Sequence, residues 1–209
     1  MSLTDKELLD LQRLPTGNIC DANDKGGNMD PEIKPIDPKT RMVGPAYTVR
    51  CQPGDNITIH KALYEAPKGA VLVVDAHSYV GAGPFGEMMA IACKERGLAG
   101  IVIDGACRDA SDIEELGFPV FSRAINPGGT VKESVGETNL TVQCGKVVVR
   151  PGDIVVGDRD GVVVIPSEKA GTVLEKAKAI AEKEAKVAEM LRQGKTILEI
   201  YKFAKLKDV

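Results

Sequence analysis

Apolar positions along this chain change spacing several times, and each change marks a different kind of element. Residues 1–14 set leucines at helical intervals among charged side chains, which predicts a short amphipathic helix. Residues 18–38, rich in Asp, Gly and Asn, read as a linker-like or helical lead-in with a brief helix over 21–25. The sheet is expected to begin near Gly44. Residues 70–75 and 99–104 are unbroken apolar, β-branched runs of the kind that form strands buried on both faces. Between them lie a loop over 76–85, with Gly81, Gly83 and Pro84, and a helix over 87–96 that Gly97 ends. Met89, Ala92 and Cys93 give that helix an apolar face. Strand, helix and strand joined by short links predict a parallel crossover, so both links that follow the strands lie at one edge of the sheet.

Beyond a strand at 119–123, the long glycine-bearing loop 126–138 reads as a crossing segment. Short alternating runs at 140–144, 146–150, 153–157 and 161–165, separated by Cys-Gly, Pro-Gly-Asp and Asp-Arg-Asp-Gly turns, predict a β-meander. Parallel and antiparallel pairs are therefore both expected. Ser167 is placed to cap a long helix over 168–192, Gly194 to end it, and Thr196 to start another. An apolar strip at Val173, Ala177, Ile180, Val187 and Leu191 is broken by Glu184, which predicts a partly covered middle. The whole reads as one α/β domain over 1–209, with a mixed sheet and a helical extension over 167–209. No internal repeat is found.

Composition narrows the picture. A chain of 209 residues with 43% hydrophobic content can bury a sizeable core. A net charge of -3 and 4% aromatic content argue against a general nucleic-acid binder. No apolar run approaches the roughly 20 residues that span a bilayer, and the acidic N-terminal segment has no apolar signal core, so a cytoplasmic protein away from membranes is expected. Five cysteines without paired spacing suit reduced thiols, with Cys107 a small filler beneath its neighbours.

The predicted crossover places chemistry at one sheet edge. The amides of Gly86, Glu87, Met88 and Met89 stand at a helix start, where free N–H groups hold anions. Arg108 offers a permanently charged fork for a carboxylate or an enolate. Asp109 and Glu87 bring oxygen only, a donor set for magnesium or manganese rather than zinc. A structural reading stands beside this one. Asp109 can cap the helix that carries 113–116, Glu87 can simply favour a positive helix end, and Arg108 can pair with either. Asn56 and His60 lie in a segment where Asp55 can cap a helix running through Glu65; a surface or core role suits His60 as well, and His77 falls in the glycine-bearing loop.

Glu87-x20-Arg108-Asp109, with Asp112 three positions on, resembles the acid-x20-Arg-Asp motif of the RraA-like proteins, which include 4-hydroxy-4-methyl-2-oxoglutarate aldolases. The stretches 43–50, 53–56, 103–109, 117–121 and 150–153 are similar to that family in its order, so the resemblance covers roughly residues 17–166. It implies a swivelling β/β/α fold, a homotrimer or hexamer, and a divalent-metal aldolase and decarboxylase acting on pyruvate-derived oxo acids. It also implies substrate contacts from the amides of Gly86 to Met89, oxyanion binding by Arg108 and a metal on Asp109. Glu87 stands where many members carry aspartate, and Asn56 is implied as a further pocket residue. Glu199 resembles an acid that related aldolases lend to a neighbouring subunit, yet Thr196-Ile197-Leu198-Glu199 is also a capping box, the preferred reading. The same family includes regulators that bind an endoribonuclease. An S-adenosylmethionine methyltransferase fits poorly, because no glycine-rich loop directly follows an early strand. A Schiff-base aldolase would need a lysine such as Lys61 or Lys68.

Overall fold

The computed structural model describes residues 3–201. Four parallel strands form the centre: β2 (Met42–Arg50), β3 (Val71–Tyr79), β4 (Gly100–Cys107) and β5 (Val120–Ile125). Helices α3 (Ile57–Glu65), α4 (Glu87–Glu95) and α5 (Ala110–Leu116) connect them in turn. Antiparallel strands extend the sheet on both sides. The short β1 (Lys34–Pro35) pairs with β5, while β9 (Ile154–Asp158) pairs with the first half of β2 and then with β10 (Gly161–Ile165). A two-residue strand, β6 (Glu137–Thr138), pairs with the end of β2. The order is β1-β5-β4-β3-β2-β9-β10, a mixed sheet as expected.

Side-chain alternation explains why the central strands are apolar throughout. Leu72, Val74, Ile101 and Ile103 face the helices, packing with Leu63 of α3, Cys93 of α4 and Ile113 of α5. Val71, Val73 and Val102 face the other way, onto Val142, Cys144 and Val149. Those residues belong to a separate ribbon of β7 (Val142–Cys144) and β8 (Val147–Val149). One face is thus covered by helices and the other by β-structure, a β/β/α layering.

A third cluster lies under β9 and β10, where Val156, Val163 and Ile165 meet three further helices. These are α1 (Asp5–Arg13), α2 (Thr16–Ala22) and α6 (Ala170–Arg192). The short α7 (Ile197–Tyr201) follows. Among the described residues, no helix is long and apolar enough to cross a membrane.

Several expectations are corrected. The lead-in helix is Thr16–Ala22 rather than 21–25. The meander is split, because the ribbon stacks on the sheet whereas β9 and β10 join it. Ser167 begins a 3-10 turn and makes no side-chain cap; its amide instead donates to the Asp153 carboxylate at 3.1 Å. Strand β3 does not stop at Asp75. It passes through left-handed backbone at His77 (φ 57°) and Ser78 (φ 56°), then pairs again at Tyr79 opposite Gly105. The middle of α6 is partly covered as expected, with Ile180 half-buried and Glu184 exposed, and Glu184 accepts a 2.8 Å hydrogen bond from the buried Asn18 of α2.

The ribbon is tied down by charge. Arg123 of β5 donates to Asp104 of β4 at 2.7 Å and also pairs with Glu32 and Asp30. The second oxygen of Asp104 accepts the Gly145 amide, in the ribbon turn, at 2.7 Å. Lys146 reaches Asp30 at 2.7 Å and, with the Glu32 amide, draws its carboxyl down to about 2. Breaking a buried pair strands its partner's charge. Arg123→Met should therefore lower stability by about 3 kcal/mol, read as an earlier midpoint in urea denaturation; an unchanged midpoint would show the cluster to be dispensable.

Candidate active site

At the carboxyl ends of β3, β4 and β5, two loops close on each other. The first joins β3 to α4 and the second follows β5. Gly83 donates to the Gly128 carbonyl at 2.9 Å, Arg108 to that of Phe85 at 2.9 Å, and the Asn126 amide to that of Cys107 at 2.8 Å. The contact is too close for larger residues. A Cβ on Gly83 would sit 2.5 Å from the Asn126 carbonyl, and one on Gly86 would sit 2.4 Å from Asp109 Oδ2. Between the loops and the start of α3 lies a cavity of about 150 Å³, walled by Gly86, Met88, Met89, Arg108, Asp109 and Asn56.

The structure separates the two readings of Asp109. It occupies the N-cap position of α5 in left-handed backbone (φ 56°, ψ 42°), but its side chain makes no capping bond. Oδ2 instead accepts the Glu87 amide at 3.2 Å and lies 3.5 Å from Arg108 Nε. Both side chains are close to half exposed, so their attraction is screened and modest. What the contact provides is position: it fixes both groups at the cavity.

Of the four amides expected to be free, two are engaged. Glu87 donates to Asp109, and Met89 donates to the Gly86 carbonyl at 3.1 Å. Among the described residues the amides of Gly86 and Met88 have no acceptor. Glu87 contributes its backbone, since its side chain is not part of the cavity wall. Asp112 lies exposed in the first turn of α5, outside the wall. Glu199 closes the expected capping box, accepting the Thr196 amide at 2.7 Å while its own amide donates to the Thr196 hydroxyl at 3.2 Å.

Asn56 lies in the wall and is buried. Its neighbour Asp55 performs the capping, accepting the Ile57 amide at 2.9 Å. The other oxygen of Asp55 accepts the amides of Glu133 and Ser134 at 2.8 and 2.7 Å, which holds the loop after β5 against α3. Burial pushes the Asp55 carboxyl up, but the amides of Ile57, Ser134 and Glu133 together carry it below its ordinary value. That loop delivers Lys132, which no sequence pattern marks, to the cavity, where Gly83 and Pro84 of the glycine-bearing loop also lie. His60 is a wall residue too, and burial, then the Lys132 charge, lowers its pKa. Lys132 and Arg108 thus give the cavity two cations beside a histidine biased toward its neutral form.

The remaining candidates lie elsewhere. His77 is exposed on the β3 irregularity, its Nδ1 3.8 Å from Asp75. Lys61 is held by Glu65 at 2.9 Å and by Thr138 at 3.1 Å, and neither it nor Lys68 reaches the cavity. All five cysteines are unpaired. Cys107 is buried under Ser122, and burial raises its thiol pKa, as a packing role requires.

The donor set suits a hard ion that keeps most of its water. Among the described residues Asp109 Oδ1 and Asn56 Oδ1 have no partner, and no three of His, Cys, Asp and Glu gather into a cage.

The α/β sheet thus carries a small cavity with two cations and two free amides beyond its parallel strand ends, where open α/β sheets place ligands. The family model described as RraA-like, Aldolase/RraA, matches residues 16–164, and the chain belongs to that family. It is 42% identical over 165 residues to a Halalkalibacterium halodurans protein named "Putative 4-hydroxy-4-methyl-2-oxoglutarate aldolase", covering 79% of each chain. A solved structure of an uncharacterized Pseudomonas syringae pv. tomato protein superposes with a TM-score of 0.87 at 27% identity, covering 95% of this chain and 94% of that one. The RNA-processing inhibitor RraA from Thermus thermophilis superposes with a TM-score of 0.67 at 29% identity, over 73% of this chain and 93% of its own.

The chain has two histidines, so the His60 prediction can be read directly by proton NMR. Its imidazole should titrate below 6.5, because burial and Lys132 both disfavour the charged form. Lys132→Met should move the midpoint upward, and no movement would place the lysine charge away from the ring.

Proposed function

We propose that this protein is a divalent-metal-dependent lyase that cleaves a carbon–carbon bond in pyruvate-derived oxo acids such as 4-hydroxy-4-methyl-2-oxoglutarate or oxaloacetate. The observation that carries this reading is the convergence of Arg108, Asp109 and the unoccupied amides of Gly86 and Met88 on one small cavity. The similarity to a protein named as an aldolase supports it.

In this reading the substrate's 1-carboxylate takes the two free amides, which also lie at the positive end of α4. Arg108 directs its fork at the 2-oxo oxygen, and Lys132 meets a distal carboxylate, favouring diacids. Asp109 would hold magnesium or manganese, which would supply Lewis-acid stabilisation of negative charge on oxygen. His60, neutral at pH 7, takes the proton of the 4-hydroxyl. As that oxygen becomes the new carbonyl, the C3–C4 bond breaks and its electron pair passes into the C2–C3 enolate. Arg108 stabilises the growing oxyanion, and C3 recovers a proton to give pyruvate. A trimer or hexamer belongs to this reading, and assembly of that kind would cover the exposed Met88 of the cavity wall.

Arg108→Ala and Asp109→Ala should each lower kcat/KM by about a hundredfold or more on both acids, with thermal unfolding little changed. Gly86→Ala should weaken pyruvate binding in calorimetry, since its methyl group displaces the Asp109 carboxylate. Near-normal turnover in the Arg108 variant would refute the assignment. Borohydride with pyruvate should trap no adduct; a trapped Lys132 would instead make the mechanism an imine one.

The similarity to an RNA-processing inhibitor favours a second reading, a protein that binds and restrains an endoribonuclease. Recovery of such a ribonuclease in a pull-down, together with no pyruvate release from either acid, would establish it.

A further inference from the structure

Three residues of the cavity wall occupy helix N-cap positions; Gly86 has no side chain to offer, and the other two withhold theirs from the helix they begin. Asp109 starts α5 and Asn56 starts α3, and neither side chain makes a capping bond. Asparagine and aspartate are the residues most favoured for that bond, so forgoing it twice around one cavity needs a reason. At α3 the capping work has passed to Asp55, which accepts the Ile57 amide at 2.9 Å.

The Asn56 amide has a fixed direction. Nδ2 donates to the Pro84 carbonyl at 3.1 Å and approaches Met89 Sδ at 3.9 Å. A flip would set the amide oxygen against the Pro84 oxygen, acceptor to acceptor. Oδ1 is therefore held on the opposite side, buried and without a donor, the one such side-chain atom found among the described residues. A buried carbonyl oxygen left unpaired is costly unless an occupant of the site completes it. Asn56 and Asp109 both line the 150 Å³ cavity, and among the described residues Asp109 Oδ1 makes no hydrogen bond.

We infer that Asn56, through Oδ1, is a second protein ligand beside Asp109 for the divalent ion, a neutral oxygen supplementing a single carboxylate. The inference rests on the metal-dependent reading proposed above. Amide carbonyls are ordinary ligands of hard cations, and a neutral one adds coordination without further negative charge in a site that must also admit an anionic acid.

Manganese binding to the full chain, followed by electron paramagnetic resonance of the free ion, tests this without reference to activity. Asn56→Leu keeps the bulk and removes the oxygen, and should weaken manganese binding about tenfold or more. Asn56→Asp keeps an oxygen and adds charge, and should tighten binding above wild type. These opposite signs separate a ligand from an anchor, because both variants lose the bond to Pro84. Wild-type affinity in Asn56→Leu, or equal weakening in both variants, overturns the inference while leaving the proposed function standing. If the leucine variant does not fold by circular dichroism, Asn56→Ala takes its place under the same criteria. Failure of the wild-type protein to bind manganese at all would remove the metal-dependent reading and this inference with it.

Discussion

The bond from the Glu87 amide to the Asp109 carboxylate is the constraint on which the site depends. It requires Asp109 to adopt left-handed backbone, a conformation open to aspartate but costly for most side chains. It also requires Gly86, because any Cβ there would collide with the same oxygen. In return the starts of α4 and α5 are locked together, and Arg108 stands between β4 and Asp109 at the cavity.

The sheet supplies the rigidity. Parallel strands need cover on both faces, and here the two covers differ in kind. Helices α3, α4 and α5 bury one face by apolar packing, whereas the small ribbon of β7 and β8 adds to its apolar contacts a buried cluster of charges around Arg123. The cavity lies at the strand ends, so its walls come from elements whose positions are set by both covers.

Local features of the sequence were readable and distant pairings were not. The runs at 70–75 and 99–104 announced β3 and β4 because strands buried on both faces need apolar residues at every position. The same short-range logic placed Gly86, Arg108 and Asp109 at one edge, where the structure brings them together. Lys132 was invisible because its location depends on Asp55 gripping amides at 133 and 134, a contact between segments far apart in the chain that no periodicity records. The partly covered middle of α6 was readable from Glu184, but its partner Asn18, at the other end of the sequence, was not. The continuation of β3 to Tyr79 was hidden by two left-handed residues, neither of them a glycine.

The charged fastening of the ribbon decides how acid would damage this molecule. Asp30 owes its depressed pKa first to Lys146, so its contribution to stability is present above the ordinary carboxyl value of 3.8 and fades as pH falls toward about 2. In that interval the ribbon loosens while the helical face, held by carbon rather than charge, stays shut. Val71, Val73 and Val102 would then be the first apolar surface offered to other molecules. Acid-induced clumping would begin on the side of the sheet away from the helices, a patch with no part in ligand binding.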